Sequence, residues 1–358
     1  GMYAPALPEL QKHFSTNVFY IQLTISLSVI GLAVGQLVLG VISDRYCRKN
    51  TLILSLLCFG ILSFLCTCKI SLYYFLIIRF LQGFFAAGGV ISARSLARVY
   101  FDQTQLLKGI SIITFVSSLS KIVYPILGGR LLLEFTWKSI FYFITLLTLF
   151  LCLFSFCLPK VMPVAKNKKI IKPALKMLLH NKIFIVSLIL FTLIQIMQFS
   201  YVSSVSFIFQ NVYGFSTYQF SLIFSMSACC FALGTLGPTK LSSQNWKKFT
   251  PWGIFLSASL MYICVHFFNQ PYWFILCLMI FRFFMGLAYT VYMFSAMSIN
   301  KKYAGTASAL LGVCAYLFAA IISPITSLGN MLNMMVCICC ILSLFVVYIS
   351  NKYIKDIE

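Results

Sequence analysis

Stretches of about 20 mainly apolar residues return again and again along this chain, and that is the length a helix needs to cross the hydrocarbon core of a bilayer. Eleven can be marked, at roughly 19–43, 52–68, 71–93, 106–130, 137–158, 183–210, 217–239, 250–268, 271–297, 304–328 and 331–350. Residues 1–10 read as the end of a twelfth helix whose beginning is missing. The fold class is therefore an all-α membrane protein. Composition agrees, with 61% apolar and 9% charged residues against roughly 45–50% and about 25% in soluble domains. A water-soluble enzyme does not fit these values.

The charge is lopsided: 27 Lys and Arg face six Asp and Glu, for a net +21. A nucleic-acid binder would carry its basic residues on a folded surface, whereas here they fill short gaps between apolar runs. Alternate gaps hold Arg45, Arg48 and Lys49, then Arg94, Arg98 and Lys108, then seven Lys from Lys160 to Lys182. The same side continues with Lys240, Lys247, Lys248, Lys301, Lys302, Lys352 and Lys355, twenty in all. The opposite gaps hold Lys12, Lys69, Arg130 and Lys138. Cytoplasmic loops are enriched in Lys and Arg, which places the twenty, and the C-terminus, on the cytoplasmic side. Residues 159–182, with Pro159, Pro163 and Pro173 among the lysines, read as a cytoplasmic linker resting on the anionic inner leaflet. No basic region followed by a short apolar run marks a cleavable signal peptide.

Most of the 14 cysteines lie inside apolar runs, where they act as small hydrophobes. No C-x2-C pair has a matching His pair, so no metal site is expected. No nucleophile–base pair is evident, and His13, His180 and His266 are scattered. Nothing here reads as an enzyme.

The two chain halves resemble one another. Arg79-Phe80-Leu81-Gln82-Gly83 recurs as Arg282-Phe283-Phe284-Met285-Gly286, and Ser92-Ala93-Arg94-Ser95 faces Ser295-Ala296-Met297-Ser298, both at a shift of 203. Ile122-Val123-Tyr124-Pro125-Ile126 pairs with Ile321-Ile322-Ser323-Pro324-Ile325 at a shift of 199. Parallel repeats related by an axis along the membrane normal belong to secondary transporters, with the substrate site expected at mid-membrane where the repeats meet. Gly31 and Gly35 form a GxxxG spacing that reads as close helix packing.

The loop after the first complete span runs Gly40-Val41-Ile42-Ser43-Asp44-Arg45-Tyr46-Cys47-Arg48-Lys49. It resembles the G-x-x-x-D-R-x-G-R-K signature of the major facilitator superfamily, with Cys47 in place of the usual Gly. A positive-inside loop accounts for the Arg and Lys but not for Asp44 together with Gly40. The resemblance implies a conformational latch of Gly40, Asp44, Arg45, Arg48 and Lys49 that stabilises the outward-facing state. Further segments resemble the Bcr/CflA-type drug-resistance branch. They include Met2-Tyr3-Ala4-Pro5-Ala6-Leu7-Pro8, Arg79-Phe80-Leu81-Gln82-Gly83, Tyr124-Pro125 with Gly128-Gly129, and Val212-Tyr213-Gly214-Phe215-Ser216. Ala304-Gly305-Thr306-Ala307-Ser308-Ala309-Leu310-Leu311-Gly312 matches most closely.

This resemblance implies a major facilitator fold of twelve helices in two pseudo-symmetric six-helix halves, the first helix incomplete. The halves are expected at 1–158 and 183–358, joined by the linker at 159–182. It further implies proton-coupled efflux of small organic molecules across a bacterial inner membrane by alternating access. Gly83, Pro125, Gly128 and Gly129 are its helix-packing motif.

Arg79, Lys121 and Arg282 fall inside spans, and intramembrane charges default to functional roles. Arg79 occupies the position of the family's fourth-helix arginine, associated with proton coupling and substrate response, and Arg282 is its repeat partner. Both have a second reading, as braces between helices. No Asp or Glu lies inside any span, and the position of the family's first-helix Asp is Gly1. A desolvated Lys titrates near neutrality, which makes Lys121 a candidate proton carrier. The substrate and proton pathway is expected to comprise Arg79, Gln82, Lys121, Gln195, Gln198, Tyr201, Arg282 and Tyr289, with Tyr292 nearby; the amides and phenols have a second reading as links between helices. The protein is expected to act as a monomer in the lipid bilayer, on small molecules and protons, with no nucleic acid and no cofactor beyond the proton gradient. The alternatives are an exporter of a specific anionic metabolite or siderophore, and a truncated, non-transporting homologue.

Overall fold

A computed structural model describes residues 2–45, 48–100, 103–158, 177–237, 243–267, 270–298 and 304–357. Of residues 41, 43–45, 48, 93–100, 103–115, 243–247, 298, 304–306, 308 and 353–357 it describes the backbone alone. Every regular element among the described residues is helical. In hydrocarbon each backbone N–H and C=O must be satisfied within the protein, which a helix does by itself.

The chain enters through a 3-10 turn at Ala4–Ala6 into α1 (Leu7–Phe14), then runs through α2 (Val18–Arg45), α3 (Arg48–Leu65), α4 (Leu72–Tyr100), α5 (Gln103–Glu134) and α6 (Lys138–Phe156). The second series is α7 (Lys182–Phe207), α8 (Thr217–Leu236), α9 (Ser243–Phe267), α10 (Pro271–Ser298), α11 (Ala304–Ile322) and α12 (Met331–Ile357). Ten of these are long and apolar enough to cross a membrane, and the apolar part of α3, Lys49–Leu65, is shorter. Each of the eleven expected spans falls on a helix. Two helices change character at their ends: α7 continues through a π-helical turn at Ile208–Val212, and α11 stops at Ile322, giving way to a 3-10 stretch, Ser323–Ser327, that contains Pro324.

Polar residues set the helix ends. Ser216 caps α8 in a capping box, its Oγ accepting from Gln219 N while its own N–H donates to Gln219 Oε1 at 2.9 Å. Asn181 Oδ1 accepts from Phe184 N at 3.0 Å and so caps α7.

The chain divides into two compact units, Gly1–Asn167 and Lys168–Glu358. The division falls within the expected linker, most of which lies outside the described residues. Each unit repeats one packing scheme. In the first, α2 packs on α4, and α3 packs on α4 and α6; in the second, α8 packs on α10, and α9 packs on α10 and α12. The Ala4–Ala6 turn rests on α5 as α7 rests on α11.

Glycines set the closest crossings. A Cβ at Gly31 would lie 2.0 Å from Phe80 O, and one at Gly234 would lie 2.0 Å from Phe283 O. A Cβ at Gly83 would lie 1.8 Å from Ser28 O, and one at Gly286 would lie 2.0 Å from Phe231 O. All four glycines and all four carbonyls are related by the shift of 203. Hydrogen allows the backbones of α2 and α4, and of α8 and α10, to touch, as small residues do between membrane helices. Large apolar side chains such as Leu146, Leu153 and Phe154 stay exposed, forming surface suited to lipid.

Candidate functional site

Within each half, one arginine lies over the face of a tyrosine. In the first, the Arg79 guanidinium of α4 sits 4.5 Å from the centre of the Tyr3 ring and 5.9 Å from that of Phe141 on α6. Its Nη1 donates to Gln82 Oε1 at 2.5 Å, and Gln82 Nε2 donates in turn to Ser63 Oγ of α3 at 2.7 Å. Tyr3 Oη and Thr24 Oγ1 of α2 are 2.8 Å apart. Because Thr24 donates its proton to Ile21 O at 2.6 Å, Tyr3 is the donor to Thr24.

The second half repeats this arrangement from different helices. The Arg282 guanidinium of α10 lies 4.7 Å from the Tyr201 ring of α7 and 4.7 Å from the Phe231 ring of α8. Its Nη1 donates to Gln198 Oε1 of α7. Tyr201 Oη is 2.6 Å from Ser227 Oγ, which donates to Phe224 O at 2.7 Å. The shift of 203 that pairs Arg79 with Arg282 also pairs Thr24 with Ser227 and Ile21 with Phe224. Tyr3 and Tyr201 are 198 residues apart.

No carboxylate joins either cage among the described residues; the Arg130–Glu134 ion pair, at 3.1 Å, is exposed. The charge is held by aromatic faces and amide oxygens, each contact contributing about 1–2 kcal/mol when desolvated. In both halves the buried Nε of the arginine has no hydrogen-bond partner among the described residues. The cages differ in closure. Arg79 is half-buried, whereas Arg282 keeps 4% of its surface. Each cage therefore holds a guanidinium with one donor edge unspent.

The family model described as Major Facilitator Superfamily matches residues 1–324. The chain belongs to the Major Facilitator Superfamily. Over 341 residues it is 27% identical to the uncharacterized MFS-type transporter YdgK of Bacillus subtilis, a match covering 92% of this chain and 85% of that one. It is 27% identical over 366 residues to the multidrug resistance protein MdtL of Salmonella typhimurium, covering 97% and 90%. A bicyclomycin resistance protein homolog of Haemophilus influenzae is 35% identical over 148 residues, 41% of this chain and 37% of its own. Among solved structures, a bacterial homolog of the human lysosomal transporter Spinster superposes with a TM-score of 0.80 at 12% identity, covering 99% and 95%. At that identity the likeness concerns the fold. The protein is a multi-pass membrane transporter, not an enzyme.

The other expected positions of this major facilitator protein separate. Gln82 and Gln198 each accept from an arginine, while Gln195, buried one turn before Gln198, lies outside the cage. Tyr289 packs its ring 5.2 Å from Phe191 and 5.8 Å from Phe231, beside the second cage. Tyr292 is buried on α10. Lys121 is exposed on α5.

Of the expected latch, the side chains of Asp44, Arg45 and Arg48 lie outside the described residues. Lys49 serves a helix end, its Nζ donating to Phe156 O at 2.7 Å and to Leu158 O at 2.5 Å, where α6 leaves carbonyls without partners. A Cβ at Gly40 would come no closer than 3.9 Å, to Ile91 Cδ1, so packing there does not require glycine. A Cβ at Gly128 would lie 2.4 Å from Met2 O, which ties α5 to the start of the chain. Pro125 and Gly129 are buried on α5.

Sequence reasoning did not single out Thr24, Ser227, Phe141 or Phe231. The repeat carried the signal: applying the shift of 203 to every polar residue near Arg79, and not to the arginine motif alone, pairs Thr24 with Ser227.

Proposed function

We propose that this transporter is a secondary active exporter of small organic molecules, coupled to proton entry and working by alternating access. The observation that carries this reading is the pair of repeat-related arginine cages, each without a carboxylate among the described residues. A fixed cation flanked by aromatic rings and amides offers donors and π-faces to a polar, aromatic cargo. The names of two relatives, a multidrug resistance protein and a bicyclomycin resistance homolog, support cargo of that kind. The distribution of lysine and arginine supports a bacterial inner-membrane protein with a cytoplasmic C-terminus. The working unit is a monomer in the bilayer, with the proton gradient as its energy source and neither cofactor nor nucleic acid involved.

A second reading, export of an anionic metabolite or siderophore, is favoured by the absence of a carboxylate beside Arg282. The test is transport in proteoliposomes with an imposed pH gradient and two panels, cationic or neutral drugs and organic anions. Drug movement driven by the gradient and lost in Arg79→Gln supports the first reading. Movement of anions alone, lost in Arg282→Gln, supports the second. If the gradient moves neither panel, proton-coupled export is wrong.

A further inference from the structure

Cys264 and Cys277 stand apart from the other cysteines. Cys264 is three residues from the end of α9, Cys277 is six residues into α10, and three residues join the two helices. Their Sγ atoms are 3.4 Å apart, a direct thiol–thiol contact, and both residues are buried at 8% and 7% exposure. Cys66 and Cys152, also buried, have no thiol within that distance among the described residues.

We propose that this pair is an oxidation site: a dithiol that a small two-electron oxidant of the quinone class converts to a disulfide. Two S–H bonds break and one S–S bond forms. The two electrons and two protons pass to the quinone, which leaves as the quinol. A disulfide needs its sulfurs about 2.05 Å apart, so closure asks little more than a rotation of the two side chains. Both thiols already face one another across helices whose spacing the short connection fixes. The reagent must be small and apolar, because the burial that excludes bulky aqueous thiol reagents leaves access from the bilayer. The bond would tie α10 to α9 about one and a half turns from Arg282. Sliding of α10 past α9 at that end would then be blocked.

The experiment treats the purified full-length protein with a short-chain quinone, alkylates the remaining thiols after denaturation, and maps chymotryptic peptides by mass spectrometry. Cleavage at the aromatic residues between the two cysteines separates them. The expected product is a linked pair of peptides carrying Cys264 and Cys277, lighter by two hydrogens and separated by a reductant. Alkylation is lost at both positions and retained at the exposed Cys68 and Cys157. In Cys264→Ser, Cys277 should stay fully alkylated. Equal alkylation of Cys264 and Cys277 with and without quinone overturns the proposal, as does linkage of either to a different cysteine. This readout needs no transport assay, so it stands or fails separately from the proposed activity.

Discussion

Replacing Gly83 by Ala tests how α2 and α4 meet. The new Cβ would lie 1.8 Å from Ser28 O, 2.7 Å from its carbonyl carbon and 2.9 Å from its Cα. All three are backbone atoms, so no rotamer change relieves the clash. Non-bonded heavy atoms sit about 3.5–4.0 Å apart, so the helices must part by roughly 2 Å, enough to forfeit much of the dispersion energy along the crossing. Overpacking of this kind costs about 3 kcal/mol, offset by about 1 kcal/mol of better helix propensity. A net loss of about 2 kcal/mol lowers the melting midpoint by roughly 4–8 °C, at about 2–4 °C per kcal/mol for a unit of this size. The control is Gly89→Ala on the same helix, where an added Cβ meets nothing within 4 Å. That variant keeps the propensity gain alone and melts at or slightly above the wild type. Melting followed by tryptophan fluorescence in detergent decides the matter. Gly286→Ala, with its Cβ 2.0 Å from Phe231 O, should reproduce the fall. If Gly83→Ala and Gly89→Ala melt alike, these backbones are not in contact and the packing argument fails.

Three further outcomes follow from named contacts. Arg282→Lys removes a planar guanidinium with two rings at 4.7 Å and should cost about 2 kcal/mol, whereas Arg79→Lys, with one close ring, should cost about 1; equal losses of melting midpoint would contradict the difference between the cages. Lys49→Gln takes the ammonium from the carbonyls of Phe156 and Leu158, and about 1 kcal/mol of lost end stabilisation should speed chymotryptic cleavage near Phe156. Ser216→Ala breaks the capping box of α8 and should lower stability by about 1 kcal/mol while leaving transport unchanged; a matching loss of transport would place this cap in the transport cycle.

The helices were legible because hydrocarbon leaves an apolar chain one dominant way to satisfy its backbone, so run length alone located all eleven spans. The half-repeat was legible for a similar reason: Gly83 and Gly286 recur because each must touch a carbonyl, at Ser28 and Phe231. The cages were less so. Arg79 and Arg282 stood out as charges inside apolar runs, but the partners of a cation in a membrane need carry no charge. Tyr3, Phe141 and Phe231 look like ordinary apolar or aromatic residues until the fold lays them against a guanidinium. Lys121, also inside a span, is exposed on α5, because a residue in the middle of a helix turns toward packing or away from it according to its face.

The repeat also brings out where the halves diverge. Gln82 follows Arg79 by three residues on α4, so that hydrogen bond travels with its own helix whatever α4 does. Gln198 reaches Arg282 from α7, and Tyr201 does so from the same helix, while Phe231 closes the other face from α8. The pairing of Arg282 therefore depends on three helices keeping their places, and that of Arg79 depends less on its neighbours. A shift of α7 along α10 by even one residue, about 1.5 Å of rise, would strip Arg282 of its amide and one ring together. It would leave a buried guanidinium with two donor edges open and no carboxylate to take them. In the first half an equal shift of α4 carries Gln82 along and leaves Arg79 paired. Of the two cations, the one in the second half is the one whose hydrogen-bond partner changes when helices move.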